Sequence, residues 1–203
     1  MTIPTTHTVV ISTRNKHKLE EIHAIMTNLP VKFLSLDAFP GAPEVDEDQN
    51  TLEGNAAKKA EILFKVTGHS TIADDTGLEV IALDDAPGVH SARFAGPSCD
   101  DRDNRVKLLQ MLQGANDRRA RFRTVIAFAS RSGTYFFEGV CNGSIAKEER
   151  GSLGFGYDSL FIPDGFTTTF AEMAASEKNE ISHRSRALKR FAMYFSGIVE
   201  GDQ

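Results

Sequence analysis

Val9-Val10-Ile11-Ser12-Thr13-Arg14-Asn15-Lys16-His17-Lys18-Leu19 is the stretch that decides the fold. Three consecutive β-branched apolar residues suit a short strand buried on both faces. Leu19, Ile22, Ile25, Met26 and Leu29 then recur at helical spacing with charged residues between them, and Pro30 ends the helix. Val31 to Leu36 reads as a second strand. Strand, helix and strand in this order predict an α/β protein. Residues Thr13 to Lys18 fall between the first strand and the first helix. Ligands collect there in open α/β sheets, and free N–H groups with the helix dipole favour an anion.

Further along, residues 37–50 carry acids at 44, 46, 47 and 48 and read as an exposed loop. A helix is predicted from Leu52 to Val66, capped by Thr51 and stopped by Gly68. Thr71-Ile72-Ala73 is a short strand running into Asp74-Asp75-Thr76-Gly77, and Leu78 to Leu83 suits another. Asp85 to Cys99 reads as a loop, and Val106, Leu108, Leu109 and Leu112 mark a third helix. Residues 120–130 and 134–146 flank Ser132-Gly133 as a long antiparallel hairpin. A last amphipathic helix is expected from His183 to Phe195, with Ser182 as its cap. The hairpin region is expected to form a lobe of its own, leaving a cleft beside the opening β-α-β part.

Composition bounds the function. With 203 residues, 40% of them hydrophobic and 25% charged, the chain suits a single globular domain with two lobes and a substantial core. A net charge of −5 argues against a protein that coats nucleic acid. No apolar run of about 20 residues could span a bilayer, and the N-terminal residues lack a basic segment followed by an apolar one. Cys99 and Cys141, without CxxC or metal-ligand spacing, are expected to be packing residues in a reducing, cytoplasmic setting.

Four polar clusters carry chemistry. Thr13, Asn15 and Lys18 offer a hydroxyl, an amide and a charge to phosphate, although the glycines of a Walker A loop are missing. Asp74 and Asp75 are adjacent carboxylates that suit a hard divalent cation, and one of them could deprotonate a water; an ordinary Asx-type turn is the plainer alternative. Asn55 and Lys59 stand one helical turn apart, and Glu47 comes from the loop before them. In Ser152-Leu153-Gly154-Phe155-Gly156-Tyr157-Asp158 two glycines allow a close backbone approach, Phe155 offers a stacking face and Asp158 an acceptor. Lys178, His183 and Arg184 are donors suited to carbonyl oxygens on a base. Ser91 and Arg93 add one candidate on an exposed loop.

Order and company raise these clusters above chance. Thr13-Arg14-Asn15-Lys16-His17-Lys18-Leu19-Glu20, Asn55-Ala56-Ala57-Lys58-Lys59-Ala60, Ile72 to Leu78, Pro87 to Arg93, Gly154 to Asp158 and Glu177 to Leu188 together resemble the inosine/xanthosine triphosphate pyrophosphatases. That family acts on non-standard purine nucleotides, and the similarity spans roughly residues 9–195. Gly54, where an acid is usual, Arg14 in place of glycine, Thr76 in place of serine and Ser159 in place of proline depart from the pattern.

The resemblance implies an elongated α/β domain with two lobes around a long, mixed, twisted sheet and an active-site cleft between the lobes. It implies a cytoplasmic homodimer that hydrolyses XTP, ITP and dITP to the monophosphate and pyrophosphate with Mg²⁺. Asp75 would be metal ligand and base, supported by Asp74, with Glu47 as second metal ligand. Thr13, Arg14, Asn15, Lys16, His17, Lys18 and Lys59 would hold the phosphates. Thr76, Phe155, Gly156, Tyr157, Asp158, Lys178, His183 and Arg184 would contact the rest of the nucleotide. The partner is thus a small-molecule nucleoside triphosphate, not nucleic acid or membrane.

Overall fold

The structure, a computed structural model, describes residues 7–27, 29 and 31–201. Pro30 and the amino-terminal residues 1–6 lie outside them. The elements run β1 (His7–Ile11), α1 (Lys16–Met26), β2 (Val31–Ser35), α2 (Leu52–Thr67), β3 (Ser70–Val80), β4 (Pro87–Gly88), α3 (Asp101–Met111), β5 (Arg119–Ser130), β6 (Gly133–Ile145), β7 (Phe161–Pro163), α4 (Ala175–Ile181) and α5 (His183–Gly201). The strands form one mixed sheet ordered β2-β1-β3-β5-β6-β7, with β4 paired on β3. β1 runs parallel to β2 (Val9↔Phe33) and to β3 (Val9↔Ser70), whereas β3–β4 and β6–β7 are antiparallel.

Contacts divide the chain into two compact units. The first comprises residues up to Asp75, Val125–Glu138 and the chain from Ala187; the second comprises Thr76–Thr124 and Gly139–Arg186. In the first unit the side chains of β1 alternate. Val9 and Ile11 cluster with Ile22 and Met26 of α1 and with Leu188, Phe191 and Phe195 of α5. Val10 clusters with Leu36 and with Leu63 of α2. Helices therefore cover both faces of β1, which explains its unbroken apolar run. The second unit has its own core, in which Leu78, Val80, Leu108 and Leu112 meet Phe122, Phe161 and Phe170.

The predicted caps of α2 and α5 and the hairpin are present. Helix α5, however, runs past the expected Phe195 to Gly201, and the hairpin is shared by the two units instead of forming a lobe of its own. Thr51 Oγ1 accepts the Gly54 N–H at 3.0 Å, α2 turns out at Gly68, and Ser182 Oγ accepts the Ser185 N–H at 3.2 Å at the start of α5. β5 and β6 are neighbours joined through Arg131-Ser132.

Three expectations are corrected. The sequence predicts two short strands around a turn at Asp74–Gly77, but β3 is a single strand of 11 residues. It continues because Leu78 and Val80 bury their side chains in the second core, and it ends at Val80 rather than Leu83. Ser91 is buried instead of lying on an exposed loop: its Oγ accepts the Leu78 N–H at 2.8 Å and donates to the Gly88 carbonyl at 2.6 Å. Cys99 is exposed, so only Cys141 is a packing residue, its thiol pushed up to about 11 by burial. The elements β4, β7 and α4 are too short to leave a periodic signal. Among the described residues no helix is long and apolar enough to cross a membrane.

Gly77 is where β3 admits β4. A Cβ at Gly77 would lie 2.6 Å from the Gly88 carbonyl oxygen, a backbone atom that cannot swing aside. Gly77→Ala is expected to lower stability by about 1–3 kcal/mol in urea unfolding. Gly41→Ala, placed where a Cβ meets nothing, is the control; equal midpoints for the two variants would contradict the close approach.

Candidate active site

Residues adjacent in a strand point to opposite faces, and β3 uses this to separate its two aspartates. Asp74 lies on the α1 side with Ile72, and its carboxylate meets Lys18 Nζ at 3.0 Å. Asp75 lies on the α2 side. Its Oδ2 accepts from Asn55 Nδ2 at 3.0 Å, and its Oδ1 lies 3.6 Å from Lys59 Nζ. Both aspartates are buried. The carboxylates thus diverge instead of forming a shared clamp.

Lys59 is the centre of this cluster. Its ammonium donates to Glu47 Oε1 at 2.5 Å and to the Asp74 carbonyl at 2.7 Å, besides facing Asp75. Burial pulls the ammonium's pKa down, but the charges of Asp75, Glu47 and Asp74 outweigh it and leave Lys59 above its ordinary value. Asp75 also lies above its ordinary pKa, but here burial is the dominant cause. Burial raises its pKa, Glu47 adds to the rise, and the opposing pull of Lys59, Lys18 and Asn55 does not cancel it. Asn55 also accepts the Gln49 N–H at 2.9 Å, so one buried amide ties the acidic loop to Asp75. Lys58 fastens the same loop through the Asp46 carbonyl at 2.9 Å and Asp48 Oδ1 at 2.8 Å. Gly54 leaves the room this loop needs, since a Cβ there would lie 2.8 Å from Gln49 Cβ.

The segment between β1 and α1 divides its labour. Lys18 reaches Asp74, whereas Asn15 Oδ1 caps α1 by accepting the Lys18 N–H at 3.2 Å, and Thr13 Oγ1 accepts the Asn15 N–H at 3.1 Å. Arg14 Nη2 donates to the Ala42 carbonyl at 2.9 Å. Lys16 and His17 are exposed, and His17 Nδ1 lies 3.9 Å from Glu20.

A second cluster lies within the second unit. Asp158 is buried, and its Oδ2 accepts from the Phe155 N–H at 2.9 Å and from Lys178 Nζ at 2.6 Å. Gly154 must be glycine here: its φ is +74°, and a Cβ would fall on that same carboxylate oxygen. Lys178 Nζ and Arg184 Cζ stand 5.2 and 5.7 Å from the Phe155 ring centroid. Arg184 also donates to Thr76 Oγ1 at 3.1 Å, and Thr76 pairs with Thr124 at 2.7 Å. His183 stacks on Phe122 with centroids 4.5 Å apart. Tyr157 is buried, its hydroxyl on the Ser91 carbonyl at 2.9 Å, and burial pushes its phenol pKa up. The sequence motifs missed the residues that hold this loop from outside, Asp101, Arg105 and Glu149.

The sequence model of the Ham1 family matches residues 9–194. The chain belongs to the Ham1 family. It is 49% identical over 181 residues to a dITP/XTP pyrophosphatase of Porphyromonas gingivalis, covering 89% of this chain and 93% of that protein. It is 42% identical over 188 residues to a dITP/XTP pyrophosphatase of Christiangramia forsetii, covering 93% and 98%. The solved structure of a HAM1 protein from Coxiella burnetii superposes with a TM-score of 0.87 at 36% identity, covering 95% of this chain and all of that one. The Ham1 protein of Staphylococcus aureus gives 0.85 at 34% identity, covering 94% and 98%.

The donor set in this Ham1 chain suits a divalent ion that arrives with phosphate. Asp75 and Glu47 present hard carboxylate oxygens to one cation, Lys59. Among the described residues no group of three or more His, Cys, Asp or Glu side chains is arranged as a metal cage. Mg²⁺ commonly uses one or two carboxylates and completes its shell with water and substrate phosphates. Two carboxylates are therefore enough.

Under the reading of Asp75 as the base, which needs its ionised form, its raised pKa is expected to put the acidic limb of kcat/KM above the ordinary carboxylate value of 3.8. The Asn55 hydrogen bond favours the ionised form, and Asn55→Ala is expected to move that limb to still higher pH. A variant limb that stays in place would remove Asn55 from any influence on Asp75.

Proposed function

We propose that this protein hydrolyses the deaminated purine nucleoside triphosphates XTP, ITP and dITP to the monophosphate and pyrophosphate, removing them from the nucleotide pool. Asp75 carries this assignment. It is a buried carboxylate of raised pKa, it shares an ammonium with Glu47, and the next residue on its strand is the Thr76 that receives Arg184. The names of the relatives at 40–49% identity support the same chemistry.

In this account Asp75 takes a proton from water as the water oxygen bonds to the α-phosphorus. The α–β anhydride bond breaks, and its electron pair leaves with pyrophosphate. Mg²⁺, held by Asp75, Glu47 and phosphate oxygens, would supply positive charge against the leaving group. Lys18 and Lys59 contribute fixed positive charge to the polyphosphate, so electrostatic stabilisation dominates. Asp74 holds Lys18 in place. Of the amino-terminal set, Asn15 and Thr13 shape the loop, their side chains accepting the Lys18 and Asn15 N–H groups.

Phe155 would stack on the base, with Lys178, His183 and Arg184 as donors around it and Asp158 fixing the loop. Inosine and xanthosine carry a carbonyl where adenosine has an amino group, so donors there favour the first two. A buried donor left facing another donor costs about 1–3 kcal/mol, or about 5- to 150-fold in discrimination. Guanosine shares that carbonyl and differs from xanthosine at the 2-position, where a separate contact must act. A homodimer working in the cytoplasm completes the proposal.

Pyrophosphate release with Mg²⁺ from ITP, XTP, dITP, ATP, GTP, CTP and UTP at equal concentration is the test. Fast release is expected from the first three alone, and Asp75→Asn is expected to lose turnover with the native fold intact by circular dichroism. Orthophosphate as product, equal rates across the panel, or an active Asp75→Asn would overturn the assignment.

A further inference from the structure

The loop that carries Phe155 is held by a helix that no motif of the sequence singled out. From within the loop, Asp158 fixes both sides of Phe155: its carboxylate accepts the Phe155 N–H at 2.9 Å, and its own N–H donates to the Phe155 carbonyl at 3.1 Å. The two peptide units that flank the Gly156 Cα are both held from α3. Asp101 Oδ2 accepts the Gly156 N–H at 2.9 Å, and Arg105 Nη1 donates to the Gly156 carbonyl at 3.0 Å. Asp101 and Arg105 stand four residues apart and so share one face of α3. Arg105 reaches further through Nε, 2.9 Å from Glu149 Oε2, which also accepts from Ser159 Oγ at 3.1 Å. The guanidinium fork thus joins the carbonyl of Gly156 to the segment beyond Asp158 through two nitrogens held in one rigid plane, a geometry an ammonium on a flexible stem does not fix.

Gly156 has φ of +61° and no side chain to hold it in place. Without the clamp this residue has the freedom to swing, and the orientation of the preceding ring depends on it. We propose that Arg105, assisted by Asp101, is a positioning residue for base recognition, fixing the Gly156 peptide so that Phe155 keeps its plane against Lys178 and Arg184. The proposal rests on Phe155 being the base-stacking surface. It adds that specificity for the base is set in part from α3, by side chains that need not touch the nucleotide.

The test uses Arg105→Ala, Arg105→Lys and Asp101→Ala in the full-length protein. Readouts are KM and kcat for ITP, and calorimetric Kd values for inosine monophosphate and for magnesium pyrophosphate. Losing the fork is expected to raise KM for ITP and Kd for inosine monophosphate about tenfold in Arg105→Ala. Asp101→Ala should move both in the same direction, Arg105→Lys should recover only part of the loss, and kcat and the pyrophosphate Kd should hold. Unchanged inosine monophosphate binding in Arg105→Ala would overturn the proposal, as would a loss shared equally by pyrophosphate. Wild-type protein that binds inosine monophosphate yet releases no pyrophosphate from ITP would refute the reaction proposed above. The clamp would then be judged on the inosine monophosphate affinities alone.

Discussion

A carboxylate removed from water needs a cation or several hydrogen bonds against it, and β3 buries two in succession. The pleat sends Asp74 and Asp75 to opposite faces, so each must find a cation from a different helix. Lys18 answers from α1 and Lys59 from α2. One strand therefore draws a lysine from each of the two helices that flank it. The covering of β1 on its two faces follows the same division.

That pairing also defines the chemistry available to the site. With Lys59 between Glu47, Asp75 and the Asp74 carbonyl, the first cluster sets two carboxylates against one ammonium. Under the proposed function, a polyphosphate with its divalent ion would bring both signs of charge and exchange partners with this network. The second cluster works by the same rule on a smaller scale. Asp158 and Lys178 neutralise each other in burial, and the lysine's remaining reach is toward the ring of Phe155. Each cluster thus buries a lysine against a carboxylate.

Much of this was legible in the sequence because its signals are local. The β-branched run of β1, the caps at Thr51 and Ser182, and the one-turn spacing of Asn55 and Lys59 are each decided by residues a few positions apart. The unbroken course of β3 was not, because local polarity at Asp74–Gly77 reads as a turn. Only the burial of Leu78 and Val80 in a distant core, together with the bare Cα of Gly77 against β4, keeps that strand extended. The roles of Arg14 and Tyr157 were hidden for a related reason. Motif position placed them beside a ligand, but their polar atoms bond to the Ala42 and Ser91 carbonyls, partners 28 and 66 residues away. Asp101, Arg105 and Glu149 escaped because surface charges on a helix and a loop carry no pattern of their own.

The central claim is that water attacks the α-phosphorus beside Asp75. Hydrolysis of ITP in ¹⁸O-labelled water, followed by mass spectrometry of both products, tests it most directly. The account predicts one labelled oxygen in the monophosphate and none in the pyrophosphate. Label in the pyrophosphate, or in released orthophosphate, would contradict it.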